Sequence, residues 1–147
     1  QAAVGATAVV PAPDETPTST TEQSQPVTVA PPSQYGGVVG IAMRFLGVPY
    51  VWGGSSPSGF DCSGLVMYVY AQVGVSLPHY TVSQYQRGVA VSRSDLQPGD
   101  LVFFDGLGHV GIYIGGDQFI HAPHTGDVVK ISDLGSRGDY AGGVRPY

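Results

Sequence analysis

The chain has 147 residues, 42% hydrophobic and 12% charged, with one cysteine and a formal charge of -5 from 6 Lys and Arg against 11 Asp and Glu. That length suits one domain with a tail, and the acidic balance offers no basic surface of the kind nucleic acid demands. A lone cysteine excludes an internal disulfide, the four histidines form no dense cluster for a structural zinc, and no apolar run reaches the roughly 18–20 residues of a membrane helix.

Residues 1–34 are rich in Pro, Thr, Ser, Ala and Val and hold no aromatic side chain. Such a segment buries too little apolar surface to offset its ordering entropy, so it reads as an extended linker or tail, either a tether or a pro-segment. The start at Gln1 fits a processed or trimmed product. Residues 35–147 form the expected folded domain. Val38, Val39, Ile41, Ala42, Phe45 and Leu46 follow helical spacing and predict a helix over 36–46, stopped by Gly47. A short extended piece at 48–52 leads into a loop containing Gly53, Gly54, Pro57 and Gly59. The second predicted helix starts near Cys62 and runs to Gly74, with Asp61 and Ser63 suited to its start. A short helix follows at 81–86. After the Pro98-Gly99 turn, β-prone runs at 101–104, 109–114 and 118–121 predict strands, with Gly115-Gly116 as the hairpin turn between the last two. Further strands are predicted at 128–131 and 143–145. Helices first and antiparallel strands afterwards indicate an α+β domain, with N-terminal helices packed on a central antiparallel sheet.

Cys62 lies where a glycine-rich loop enters a helix. The positive end of the helix dipole and unpaired amides there favour a thiolate, and the same amides can stabilise an oxyanion. Position alone leaves two readings, a nucleophile or a small buried hydrophobe. A nucleophile needs a base that is distant in sequence and adjacent in the fold. His109 opens one predicted strand and His121 closes its neighbour, so hairpin pairing can place them side by side as base and orienting group. Tyr50 is a hydroxyl donor to a substrate or a core aromatic, and His79 lines a groove or caps a loop. His124, between Pro123 and Gly126, reads as a surface turn residue and not a metal ligand. The glycines at 53, 54, 59 and 64 match no phosphate-cradling pattern.

Five stretches in order resemble the NlpC-type (NlpC/p-sixty) family of cell-wall cysteine peptidases: residues 47–54 (GVPYVWGG), 60–66 (FDCSGLV), 97–104 (QPGDLVFF), 109–115 (HVGIYIG) and 120–123 (IHAP). The resemblance covers roughly residues 38–147. It implies a papain-like core in which Cys62 attacks, His109 is base and acid, and His121 orients His109. It further implies that Tyr50 and the backbone at Cys62 stabilise the oxyanion, and that Asp61 and Ser63 line the substrate cleft. The implied substrates are peptidoglycan stem peptides, typically at the bond from the γ-carboxyl of D-glutamate to a diamino acid. The implied setting is a secreted, monomeric enzyme of the cell wall or periplasm that needs no cofactor. The alternatives are a Cys-His amidase and a peptidoglycan-binding module without turnover. Many relatives carry Leu-Pro-Arg where this chain has Leu77-Pro78-His79, which replaces a permanent cation by a titratable ring.

Overall fold

The computed structural model describes residues 37–146, so the tail read at 1–34 lies outside the described residues. Helix α1 spans Val38–Met43 and buries Val38 and Ala42; residues 44–47 form turns that end the predicted helix early. Pro49 then bridges Val128, and Tyr50 bridges Phe60. The glycine loop contains a small hairpin, β1 (Ser55–Ser56) and β2 (Gly59–Phe60), where the sequence predicted only loop. Helix α2 (Cys62–Ala71) follows at once, and α3 (Thr81–Tyr85) occupies the predicted short helix.

Six antiparallel strands form one sheet in the order β3-β8-β4-β5-β6-β7. They are β3 (Val89–Val91), β4 (Leu101–Phe104), β5 (His109–Gly115), β6 (Gln118–His121), β7 (Lys130–Asp133) and β8 (Tyr140–Arg145). The α+β class is as predicted, with three corrections inside it. Edge strand β3 was not predicted, β7 begins at 130 and not 128, and β8 begins at 140 and not 143. The hairpin turn is also displaced by one residue. Gly116 and Asp117 both have positive φ (61° and 62°), as a two-residue turn matching strand twist requires, while Gly115 belongs to β5 beside an irregularity in the register.

Alternation along the strands sorts side chains onto two faces. Leu101, Phe103, Val110, Ile112 and Ile120 meet Leu65, Val66, Val69 and Tyr70 of α2 in the main core. Val102, Phe104, Phe119 and Leu134 form a second cluster on the opposite face. Tyr70, fully buried, ties α2 to the sheet by donating its hydroxyl to the Gly99 carbonyl.

The Pro98-Gly99 turn is held by a buried ion pair. Arg145 Nε and Nη2 meet Asp100 Oδ1 and Oδ2 at 2.9 Å each, Nη2 also reaches the Asp95 carbonyl at 2.9 Å, and Asp100 Oδ2 accepts from the Gln97 amide at 2.8 Å. Asp100 is fully buried. Asp100→Leu strands a buried guanidinium and is expected to cost about 3 kcal/mol or more, lowering the thermal midpoint by roughly 10 °C or more. Asp117→Asn, which weakens the exposed pair with Arg93 at 3.4 Å, is expected to cost less than about 1 kcal/mol. Thermal melts followed by circular dichroism read both.

Candidate active site

Asp61 holds the start of α2 in place. Its backbone is extended, its Oδ1 accepts from the Gly64 amide at 2.7 Å, and its Oδ2 accepts from the Gly53 amide at 3.1 Å. The carboxylate therefore caps the helix and stitches the glycine loop to it. Gly64 is glycine for lack of space: a Cβ there would fall 1.9 Å from the Gly54 carbonyl oxygen. That carbonyl accepts from the Asp61 amide at 2.9 Å, so loop and helix meet backbone to backbone.

Cys62, partly exposed, is the first residue of the helix. It shares a cleft of about 520 Å³ with Tyr50, Asp61, Ser63 and His79, and the far wall is made by 105–108. Asp105 and Leu107 in that wall have φ of 54° and 75°, a costly backbone for non-glycine residues that leads directly into His109. Ser63 is buried, and its hydroxyl points at Asp61 Oδ1 from 3.4 Å. His79 is exposed and bonds the same oxygen through Nε2 at 2.8 Å. The structure thus brings the five predicted cleft residues together, and Asp61 takes the helix-start place predicted for it while also lining the cleft. His124 is exposed in a turn.

His109 and His121 are both buried and directly bonded, Nε2 of the first to Nδ1 of the second at 2.8 Å. The pairing of Ile112 with Ile120, carried one step on, sets Gly111 opposite His121 and leaves His109 on the diagonal. A Cβ at Gly111 would lie 3.2 Å from the His121 Cβ and 3.0 Å from the Ile120 carbonyl, so the bare backbone lets the rings meet. The pair sits on the second-cluster face, with Phe119 4.5 Å from the His121 ring and Phe104 6.0 Å from the His109 ring. It adjoins the cleft through backbone: Gly108 lines the cleft, and the Val110 amide is among the groups that pull the Cys62 thiol down.

The electrostatics correct one expectation. Burial pushes the Cys62 thiol above its ordinary value and Asp61 adds to this, against the opposing pull of the amides of Val110, Ser63 and Cys62 itself. The helix start therefore does not win, because desolvation of a thiolate outweighs the dipole. Burial, with help from the Arg137 guanidinium, pushes His109 down to about 4. His121 falls to about 3, through burial first and then the neighbouring His109. At neutral pH the site rests as a neutral thiol and two neutral imidazoles. Tyr50 is raised by burial, then by Cys62 and Asp61, so its phenol keeps its proton and remains a donor.

Two contributors were not found from the sequence. Ser132 Oγ lies 2.8 Å from His121 Nε2, and buried Gln84 donates from Nε2 to the Ser63 carbonyl at 3.0 Å and the Pro78 carbonyl at 2.7 Å. Gln84 joins the nucleophile helix to the segment carrying His79. The only signal for Ser132 would have been the register of β7, a strand that the sequence reading placed at 128–131, short of Ser132. Among the described residues no group of three or more His, Cys, Asp and Glu is arranged to hold a metal, and no helix is long and apolar enough to cross a membrane.

Comparison with known proteins agrees with this geometry. The sequence model of the NlpC/P60 family matches residues 47–141. The chain is 46% identical over 104 residues to a probable endopeptidase p60 of Listeria seeligeri, covering 69% of this chain and 20% of that protein. It is 45% identical over 102 residues to a probable endopeptidase of Mycobacterium tuberculosis, covering 69% and 26%. The chain thus spans about a fifth to a quarter of the curated relatives it matches. Among solved structures, a NlpC/P60 family protein from Bacillus cereus superposes with a TM-score of 0.72 at 39% identity, covering 78% of this chain and 41% of that one. The NlpC/p60 domain of the peptidoglycan hydrolase SagA gives 0.69 at 43% identity, covering 74% and 97%. With its helix-borne cysteine, its paired strand histidines and these matches, the chain belongs to the NlpC/P60 family.

Proposed function

We propose that residues 35–147 form a cysteine endopeptidase that hydrolyses peptidoglycan stem peptides, at the bond from D-glutamate to the diamino acid, and acts as a monomer outside the cytoplasm in the wall or periplasm. The observation that carries the reading is a helix-start thiol in a cleft whose lining runs through Gly108 into the strand that opens on His109, which is bonded to His121. The similarity to proteins described as endopeptidases and peptidoglycan hydrolases supports the substrate class.

Because His109 Nε2 is engaged by His121, Nδ1 is the ring nitrogen left to serve the thiol. As the substrate binds, Cys62 gives its proton to His109 Nδ1 and its sulfur attacks the carbonyl carbon. The carbonyl π pair moves onto oxygen, where the amide at Cys62 and the Tyr50 hydroxyl donate to it. Collapse breaks the C–N bond, and the departing amine takes the proton from His109. Water then gives a proton to His109 and attacks the thioester, and the released sulfur recovers that proton. Charge develops only during the reaction, because both partners start neutral.

Activity therefore depends on a neutral His109, a form lost as pH falls through its pKa. The acid limb of kcat/KM is expected near pH 4, the value to which burial and Arg137 lower His109, and not near the ordinary 6.5. A limb at 6.5 on folded protein would show that the imidazole is not held desolvated.

Purified sacculi incubated with the chain are expected to release fragments ending at D-glutamate, identified by mass spectrometry, with Cys62→Ala lowering release by about 10³-fold or more. Intact stem peptides would indicate an amidase instead. Binding without release by either protein would indicate a recognition module.

A further inference from the structure

The histidine pair does not end at His121. His121 Nε2 lies 2.8 Å from Ser132 Oγ, so His109, His121 and Ser132 form a continuous line of hydrogen bonds across β5, β6 and β7. Each link crosses one strand boundary on the diagonal: β6 and β7 pair His121 with Lys130 and Phe119 with Ser132, so Ser132 stands one diagonal step from His121. The line is largely sealed from solvent, with His121 3% and His109 8% exposed, while Ser132 at its outer end is half-buried.

A chain of neutral imidazoles has only two proton arrangements. In one, His109 Nε2–H donates to His121 Nδ1 and His121 Nε2–H donates outward, so that His109 Nδ1 carries a lone pair. In the other every bond is reversed, and His109 Nδ1 carries a proton and cannot act as a base. The side chains within the pair do not choose between these, since each ring can donate or accept. The ends of the line weight the choice, and the group at the outer end is the Ser132 hydroxyl, which can take either role. A hydroxyl oxygen there can accept the His121 proton while its own hydrogen turns toward solvent.

We infer that Ser132 is a positioning residue for the base: its hydroxyl oxygen accepts the Nε2 proton of His121, which fixes His109 as the tautomer with a bare Nδ1. The inference rests on the peptidase reading for its effect on turnover, but not for its effect on the rings. Without the hydroxyl, the useful arrangement leaves the His121 donor unpaired in a buried site, whereas the reversed arrangement leaves only an acceptor there. An unpaired donor is the costlier loss, so the population shifts to the unreactive form.

Ser132→Val and Ser132→Thr in the full 147-residue chain isolate the hydroxyl, since both side chains are β-branched, nearly equal in shape and suited to a strand. Ring-nitrogen NMR of the wild type is expected to show His121 protonated on Nε2 and bare on Nδ1. Ser132→Val is expected to shift both rings toward the reversed tautomer and to lower kcat about 5- to 20-fold with KM changed less than about twofold. Ser132→Thr restores both. Ser132→Ala, which adds no bulk, gives the same ring-nitrogen result should the valine fail to fold. A wild-type proton on His121 Nδ1, unchanged tautomers without the hydroxyl, or a threonine variant as slow as the valine would each overturn the inference. If the wild type shows no Cys62-dependent hydrolysis, the peptidase reading fails, and the ring-nitrogen spectra still decide the role of Ser132.

Discussion

The site depends first on the Asp61 carboxylate. It sits at the one point where the glycine loop, the nucleophile helix and the segment carrying His79 meet, and it bonds all three. A helix cap of this kind is worth roughly 0.5–2 kcal/mol, which is small for the fold as a whole. Its value is positional. Cys62 follows Asp61 directly, so an error in the start of α2 becomes an error in where the sulfur stands. Gly64 serves the same end from the other side, because its missing side chain lets the Gly54 carbonyl reach the Asp61 amide. Gln84 adds a third restraint by donating to the Ser63 carbonyl one residue beyond the nucleophile.

Against that rigid frame the electrostatics are restrained. A helix start and three amides would ordinarily draw a cysteine toward thiolate. Here the same packing that places the sulfur also desolvates it, and burial is the larger influence. The histidines behave alike, since each is sealed among aromatic rings and lowered by Arg137. The outcome is a nucleophile and base that hold no separated charges at rest. Such a site avoids the cost of burying an unpaired ion. It keeps its dipoles for the oxyanion, which exists only in the transition state and is where they contribute most.

Much of this was legible because its signals are local. Helical spacing and a cap residue marked α2, apolar β-prone runs marked β4, β5 and β6, and Cys62, His109 and His121 lie where those elements begin or end. What was not legible depends on contacts distant in the chain. Strand β3 is three residues long, and only its pairing with β8, more than fifty residues later, makes it a strand. The β1–β2 hairpin is two residues a side and is held by the same glycine loop that disguised it. Strand β7 was set two residues early because nothing at Val128 or Lys130 distinguishes a strand start, and the predicted strand ended before Ser132. The sign of the Cys62 shift was also out of reach, because a dipole can be read from a helix start, whereas burial is decided by what packs over it.

The His79–Asp61 contact shows how far the cap and the cleft are one object. A carboxylate offers about four lone-pair sites. Asp61 already receives two backbone amides, the Ser63 hydroxyl at a long 3.4 Å and the His79 ring at 2.8 Å. The amides belong to the fold, and losing either would loosen the helix start that carries Cys62. Three of these bonds fall on Oδ1 and one on Oδ2, so Oδ1 is the crowded oxygen, and His79, exposed and on a loop, is the one of its partners least bound by the fold. An arginine at that position would hold the carboxylate with a permanent charge and a fork of donors. The imidazole of His79 holds it through one ring nitrogen alone. With histidine at 79 this contact is a single ring hydrogen bond, and the two backbone amides that cap the helix do not depend on it.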